Sequence, residues 1–150
     1  MSKPEFRMPM DVNDIQQCIP HRHPFLLIDR VLEAIPNEYI VATRNASISD
    51  PLLQGHFPGN PVVPGVMIVE AMAQAGCSYF YYSKNLHGKD LIYYLAKVAT
   101  KFIKPVVPGD QLRIEVTTVK LMSKAGFLKT KAFVQDKLVA EAEIGFGIKE

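Results

Sequence analysis

Polar and apolar positions divide the chain into a short capped helix, a series of strands and one long apolar segment. Residues 11–18 place Asp11 at an N-cap position ahead of Ile15, and Pro20 stops the run, which predicts a short first helix. Residues 25–33 are apolar and tolerant of extended backbone, and 39–47 alternate. Both are predicted as strands, with Pro36-Asn37 turning between them. A loop dense in Pro and Gly covers 49–64. From Pro64 to about Lys84 the chain is apolar nearly all round at helical length, closed by Gly88 and Asp90. Four more strands are predicted at 91–103, 112–122, 127–134 and 138–148, with turns at 107–110, 123–126 and 135–137. Turns this short imply antiparallel pairing of successive strands.

A helix that is apolar on nearly every face has to be enclosed, and only the strands can enclose it. The expected fold class is α+β, a long curved antiparallel sheet wrapped around one central helix. The sequence contains no internal repeat, low-complexity tract or linker, so residues 1–150 read as a single domain with a sizeable core. The segment 62–82 approaches transmembrane length, yet Glu70 and Gln74 would both face hydrocarbon there. It reads as a buried helix, with no membrane insertion.

Composition narrows the functional classes. A net charge of +2, carried by scattered Lys and Arg, provides no stripe for a phosphate backbone, so no nucleic-acid partner is expected. Residues 1–10 lack the apolar core of a secretory signal. Two cysteines, Cys18 and Cys77, are too few for a disulfide framework and read as reduced thiols of a cytoplasmic protein.

The candidate chemistry gathers around the long helix. Apart from the small Ser78, Glu70 and Gln74 alone break its apolar run between Val66 and Phe80; four apart, they share a face and can hydrogen-bond. A carboxyl group has no structural reason to sit there, because burying it costs several kcal/mol unless it is paired or neutral. Glu70 is therefore read as an acid in an apolar setting, oriented by Gln74 and able to hold and donate a proton. His56 is the one titratable group of residues 51–64, a stretch stiffened by Pro58, Pro61 and Pro64 and opened by Gly55 and Gly59, which resembles a preorganised base. Gly65 begins the helix, where unpaired N–H groups and the positive end of the dipole can receive a substrate carbonyl, as in an oxyanion hole. Base, acid and oxyanion donor together suit removal of a proton α to a carbonyl.

Other candidates carry less. His21-Arg22-His23 has no further ligand at convincing spacing, so no metal is expected and a surface or packing role is read for it. Gly145-Phe146-Gly147 precedes no helix and is no dinucleotide fingerprint. Tyr93 and Tyr94 read first as core or interface aromatics; with Phe57 they are the candidates for lining an apolar tunnel for an acyl chain.

Several motifs in order carry a family resemblance over nearly the whole length. They are Ile19-Pro20-His21-Arg22, then Pro24-Phe25-Leu26-Leu27-Ile28-Asp29-Arg30-Val31, Gly55-His56-Phe57-Pro58-Gly59-Asn60-Pro61, and Pro64-Gly65-Val66 leading to Glu70-Ala71-Met72-Ala73-Gln74. Phe102 with Lys104-Pro105-Val106-Val107-Pro108-Gly109-Asp110 completes the set. The chain resembles the FabZ-type 3-hydroxyacyl-(acyl-carrier-protein) dehydratases of bacterial type II fatty acid synthesis. His23, where the family often has Tyr, and Val98-Ala99-Thr100, where it often has an acidic residue, depart from the pattern.

The resemblance implies a hot-dog fold and elimination of water from a (3R)-3-hydroxyacyl thioester to the trans-2-enoyl product. It implies no metal and no organic cofactor, and an obligate homodimer in which His56 of one subunit meets Glu70 of the other, with dimers assembling as a trimer of dimers. Glutamate at 70 resembles this branch rather than the dehydratase-isomerases, which carry aspartate there. A hot-dog thioesterase and a dehydratase-isomerase remain the alternative activities; a non-catalytic acyl-binding domain would need neither His56 nor Glu70. The implied substrate carrier is the acidic acyl carrier protein, for which Lys97, Lys101 and Lys104 are candidate docking charges.

Overall fold

The computed structural model describes residues 6–149. Helix α1, Val12–Cys18, begins at Asp11, whose side chain accepts from the Asp14 N–H while the Asp14 side chain accepts from the Asp11 N–H. This reciprocal cap and the buried Ile15 and Cys18 hold a helix too short to stand alone. Strands β1 (Arg30–Ile35) and β2 (Tyr39–Asn45) form the first antiparallel pair, with Asn37 supplying the positive φ of the turn. The first strand starts later than its apolar sequence suggests. Before it, the Leu27 N–H is taken by the Gln74 side chain rather than by a neighbouring strand.

Helix α2, Gly65–Ser83, is the predicted long helix, and its residues from Ala71 to Tyr81 are all buried. It packs against β2 and against β4 (Gln111–Leu121), β5 (Ala125–Val134), β6 (Lys137–Lys149) and β3 (Ile92–Phe102). Tyr79, Phe80 and Met72 are among the largest fully enclosed side chains; each such burial contributes about 1.5–3 kcal/mol. Strands β4 and β5 alternate as the period of two requires: Leu112, Ile114 and Val116, then Leu128, Thr130 and Ala132, face the helix. Among the described residues no helix is long and apolar enough to cross a membrane.

The sheet is antiparallel throughout, in the order β1-β2-β4-β5-β6-β3. Pairing of successive strands holds for β1-β2, β4-β5 and β5-β6, but β3 and β4 are not neighbours. The segment 103–110 between them is anchored elsewhere: the Val63 N–H donates to Val106 O, the Gly109 N–H to Ala46 O, and the Ala46 N–H to Asp110 O. Two consequences follow for the site. The backbone around Val106 becomes a wall beside the start of α2. Strand β3 becomes a sheet edge on which every residue but the half-buried Tyr93 is exposed, Ile92, Tyr94, Leu95, Val98 and Phe102 included.

Candidate active site

His56 follows a single 3-10 turn at Pro51–Leu53, capped by Asp50, whose carboxylate accepts from the Leu52 N–H and pairs with Arg44. The imidazole Nδ1 lies 2.8 Å from Val62 O. A carbonyl oxygen can only accept, so Nδ1 carries the proton and Nε2 of the neutral ring keeps its lone pair for a substrate. The ring also stacks on Phe57 at a centroid distance of 4.0 Å. Orientation and tautomer are thus set by the loop before any ligand arrives.

Gly65 is the first residue of α2, and its N-cap, Pro64, offers no side chain to the exposed N–H groups. The first helix hydrogen bonds run from the Met67 and Ile68 N–H groups to Pro64 O; among the described residues the Gly65 and Val66 N–H groups have no partner. His56, Val62, Gly65, Val66, Phe102 and Lys104 line one open cleft. A Cβ at Gly65 would lie 2.9 Å from Phe102 Cζ, so only glycine lets the aromatic ring close over this helix start.

Glu70 is absent from that cleft's lining. Five residues beyond Gly65, it is turned by about 140° around the helix axis. Its carboxyl is half-buried, with the side chain 21% exposed, rather than enclosed by this one chain. Gln74 Nε2 donates to Glu70 Oε1 at 3.1 Å and to Phe25 O at 2.7 Å, while Gln74 Oε1 accepts from the Leu27 N–H at 2.7 Å. The fully buried Gln74 therefore ties the segment before β1 to α2 and presents an N–H to the carboxyl. The hydrogen bond expected between residues 70 and 74 is present, with two backbone partners that the helical spacing alone did not indicate.

Of the remaining candidates, Phe57 is exposed beside His56. Tyr93 is half-buried, donates its hydroxyl to Cys18 O and packs on Phe146, and burial pushes its phenol upward. Tyr94 is exposed on β3. Lys97 and Lys101 project from the same strand, whereas Lys104 lines the His56 cleft. One neighbour went unrecognised in the sequence: His21 Nε2 stands 3.5 Å from Glu70 Oε1. The signal for it was the buried amide of Gln74, which needs partners from a segment lying across the helix. Among the described residues no three ligating side chains gather as a metal group.

The chain is similar to known proteins in sequence and in shape. A FabA-like domain model matches residues 19–143. The chain is 45% identical to a 3-hydroxyacyl-(acyl-carrier-protein) dehydratase FabZ of Geobacter metallireducens over 89% of this chain and 90% of that protein. It is 45% identical to the Enterococcus faecalis protein of the same name over 94% and 99%, respectively. In shape it is similar to a chain of the dehydratase heterocomplex ApeI:P from Xenorhabdus doucetiae, with a TM-score of 0.79 at 15% identity over 91% of each chain. The structure of a hypothetical thioesterase protein with coenzyme A, from Streptococcus pneumoniae, has the same fold, with a TM-score of 0.63 at 12% identity over 91% of this chain and 92% of that one. Six antiparallel strands around a central helix form the hot-dog fold. The chain belongs to the FabA-like family and, within it, to the FabZ-type 3-hydroxyacyl-(acyl-carrier-protein) dehydratases.

Proposed function

We propose that the chain dehydrates (3R)-3-hydroxyacyl-acyl-carrier-protein to the trans-2-enoyl product of fatty acid synthesis, in a site assembled from two copies of itself. The Gly65 N–H receives the thioester carbonyl and stabilises negative charge as C2 loses its proton. His56 Nε2, which carries the lone pair of the neutral ring whose Nδ1–H is donated to Val62 O, takes that proton. Glu70, held by Gln74, gives a proton to the departing hydroxyl, so that the C3–O bond breaks, the C2–C3 double bond forms and water leaves.

The observation that carries this reading is the separation of the two halves. His56 and Gly65 share one cleft, Glu70 lies outside it, and the adjoining β3 edge is exposed and apolar. A second copy laid along β3 covers that edge and can bring its own Glu70 to the first copy's His56. Exposed Leu32, Ile35 and Val119 lie on other strands and leave surface for the further association into a trimer of dimers. Lys104 at the cleft, with Lys97 and Lys101 on β3, suits an acidic carrier delivering its thioester there. The cytoplasm fits a carrier-linked pathway and a chain whose Cys18 and Cys77 are both free and buried.

The test is conversion of a 3-hydroxybutyryl thioester followed by the ultraviolet absorbance of the conjugated enoyl product. His56→Ala and Glu70→Gln should each lower kcat/KM by roughly 10²- to 10⁴-fold with the oligomer intact. Near-normal turnover in either variant contradicts the assigned role. Release of free thiol from a saturated thioester would mark hydrolysis instead, and a cis-3-enoyl product would mark isomerisation.

A further inference from the structure

His21 lies in the segment between α1 and β1, outside the base, acid and oxyanion donor assigned above. Its ring stacks on Phe25 with an interplanar angle of 18°, and its backbone is clamped by Arg22, whose guanidinium donates to His21 O, Ile19 O and Gln16 O. Gln74 binds Phe25 O and the Leu27 N–H, so the same segment is pinned to α2 at Phe25 and two residues beyond it. A histidine held this firmly, with one nitrogen 3.5 Å from Glu70 Oε1, is placed rather than packed at random.

The two ring nitrogens differ. Nδ1 is buried and has no hydrogen-bond partner among the described residues, whereas Nε2 faces the carboxyl. A proton on Nδ1 would leave a buried N–H with no acceptor, which costs about 1–3 kcal/mol. The proton belongs on Nε2, where Glu70 Oε1 can accept it. At 3.5 Å the contact is longer than a settled hydrogen bond, and a small tilt of the ring would bring it within range.

We propose that His21 is a positioning residue for Glu70, its Nε2–H converging with Gln74 Nε2 on Oε1 so that the transferable proton is confined to Oε2. The Gln74 half of this arrangement is fixed. The Leu27 N–H can only donate, so Gln74 Oε1 is the acceptor and Nε2 must be the donor to Glu70. With Oε1 engaged by two donors, only Oε2 is left to carry a proton toward substrate. The proposal rests on the reading of Glu70 as the acid.

The test compares two polar replacements in the full-length enzyme with a 3-hydroxybutyryl thioester. His21→Gln sets its amide nitrogen near the position of Nε2, and His21→Asn sets it near Nδ1. His21→Asn should lower kcat roughly ten- to thirtyfold with KM within about twofold, and His21→Gln should stay within about threefold of wild type. In the Glu70→Gln background, His21→Asn should cost less than about twofold more, because its effect runs through the missing acid. Equal losses in the Gln and Asn variants, a loss confined to KM, or the same loss with and without Glu70 would each overturn the positioning role alone. Normal turnover in Glu70→Gln by itself would overturn the acid and the positioning role together.

Discussion

Gln74 and Glu70 are joined by a hydrogen bond of 3.1 Å from the amide to the carboxyl, one helical turn apart on an otherwise apolar helix. The same amide satisfies Phe25 O and the Leu27 N–H, so it serves fold and site together. Gln74→Ala would strand two backbone groups and the carboxyl. It should destabilise the protein by about 2–4 kcal/mol and lower kcat. Chemical denaturation and steady-state kinetics on the same preparation check both effects; a stable variant with normal kcat would separate Glu70 from its supposed orienter.

Gly65→Ala tests the oxyanion donor. The added methyl meets Phe102, but that ring is 48% exposed and can swing aside, so stability should fall by no more than about 1 kcal/mol. Activity should fall much further, roughly 10²-fold, because the methyl stands where the substrate carbonyl approaches the N–H. Phe102→Ala added to Gly65→Ala removes the clash. It should leave activity low, whereas recovery would show that the ring contact and not the N–H was the cause.

The thiols give a stability prediction with a definite sign. Burial, assisted by the Asp14 charge, pushes Cys18 up to about 12 from an ordinary value of 9.0, and burial followed by the Glu70 charge pushes Cys77 well above it. Below the ordinary value both states keep their protons and this contribution is fully present. Between about pH 9 and 12 the unfolded chain loses thiol protons that the folded chain retains. Stability then declines as pH rises, approaching about 1.4 kcal/mol per pH unit for each thiol. Melting temperatures between pH 8 and 10 should fall, and less steeply in Cys18→Ala. Native protein at pH 8 should resist alkylation by iodoacetamide, and ready alkylation would contradict the burial.

Docking of the carrier can be separated from chemistry by changing the substrate. Lys104→Glu and Lys101→Glu should raise KM for the carrier-linked substrate roughly tenfold and leave KM for a small thioester within about twofold. An unchanged KM for the carrier-linked substrate would remove these lysines from the docking surface.

The elements legible in the sequence were those whose cause is local. The cap at Asp11, the start of α2 after Pro64, and the β5-β6 turn at Gln135 and Asp136, both with positive φ, each depend on a few adjacent residues. Long-range pairing was not legible. The apolar run 25–28 resembles strand, yet its partner is the Gln74 amide, 49 residues from Phe25, and β3 lies at the far edge of the sheet although only 103–110 separates it from β4. Glu70, Gln74, His56 and Gly65 could be picked out because each is an anomaly in its own segment. His21 is ordinary in its segment and acquires meaning only from what α2 brings beside it.

The central claim is that one copy supplies His56 and Gly65 while its neighbour supplies Glu70, and subunit complementation tests it most directly. His56→Ala and Glu70→Gln proteins, each inactive alone, are mixed in equal amounts, dissociated and reassociated. If the residues come from different copies, every mixed dimer has one doubly defective site and one intact site, so random pairing should restore about a quarter of wild-type activity. If both residues act within a single chain, no intact site can form, and a reassociated mixture that stays inactive would contradict the account.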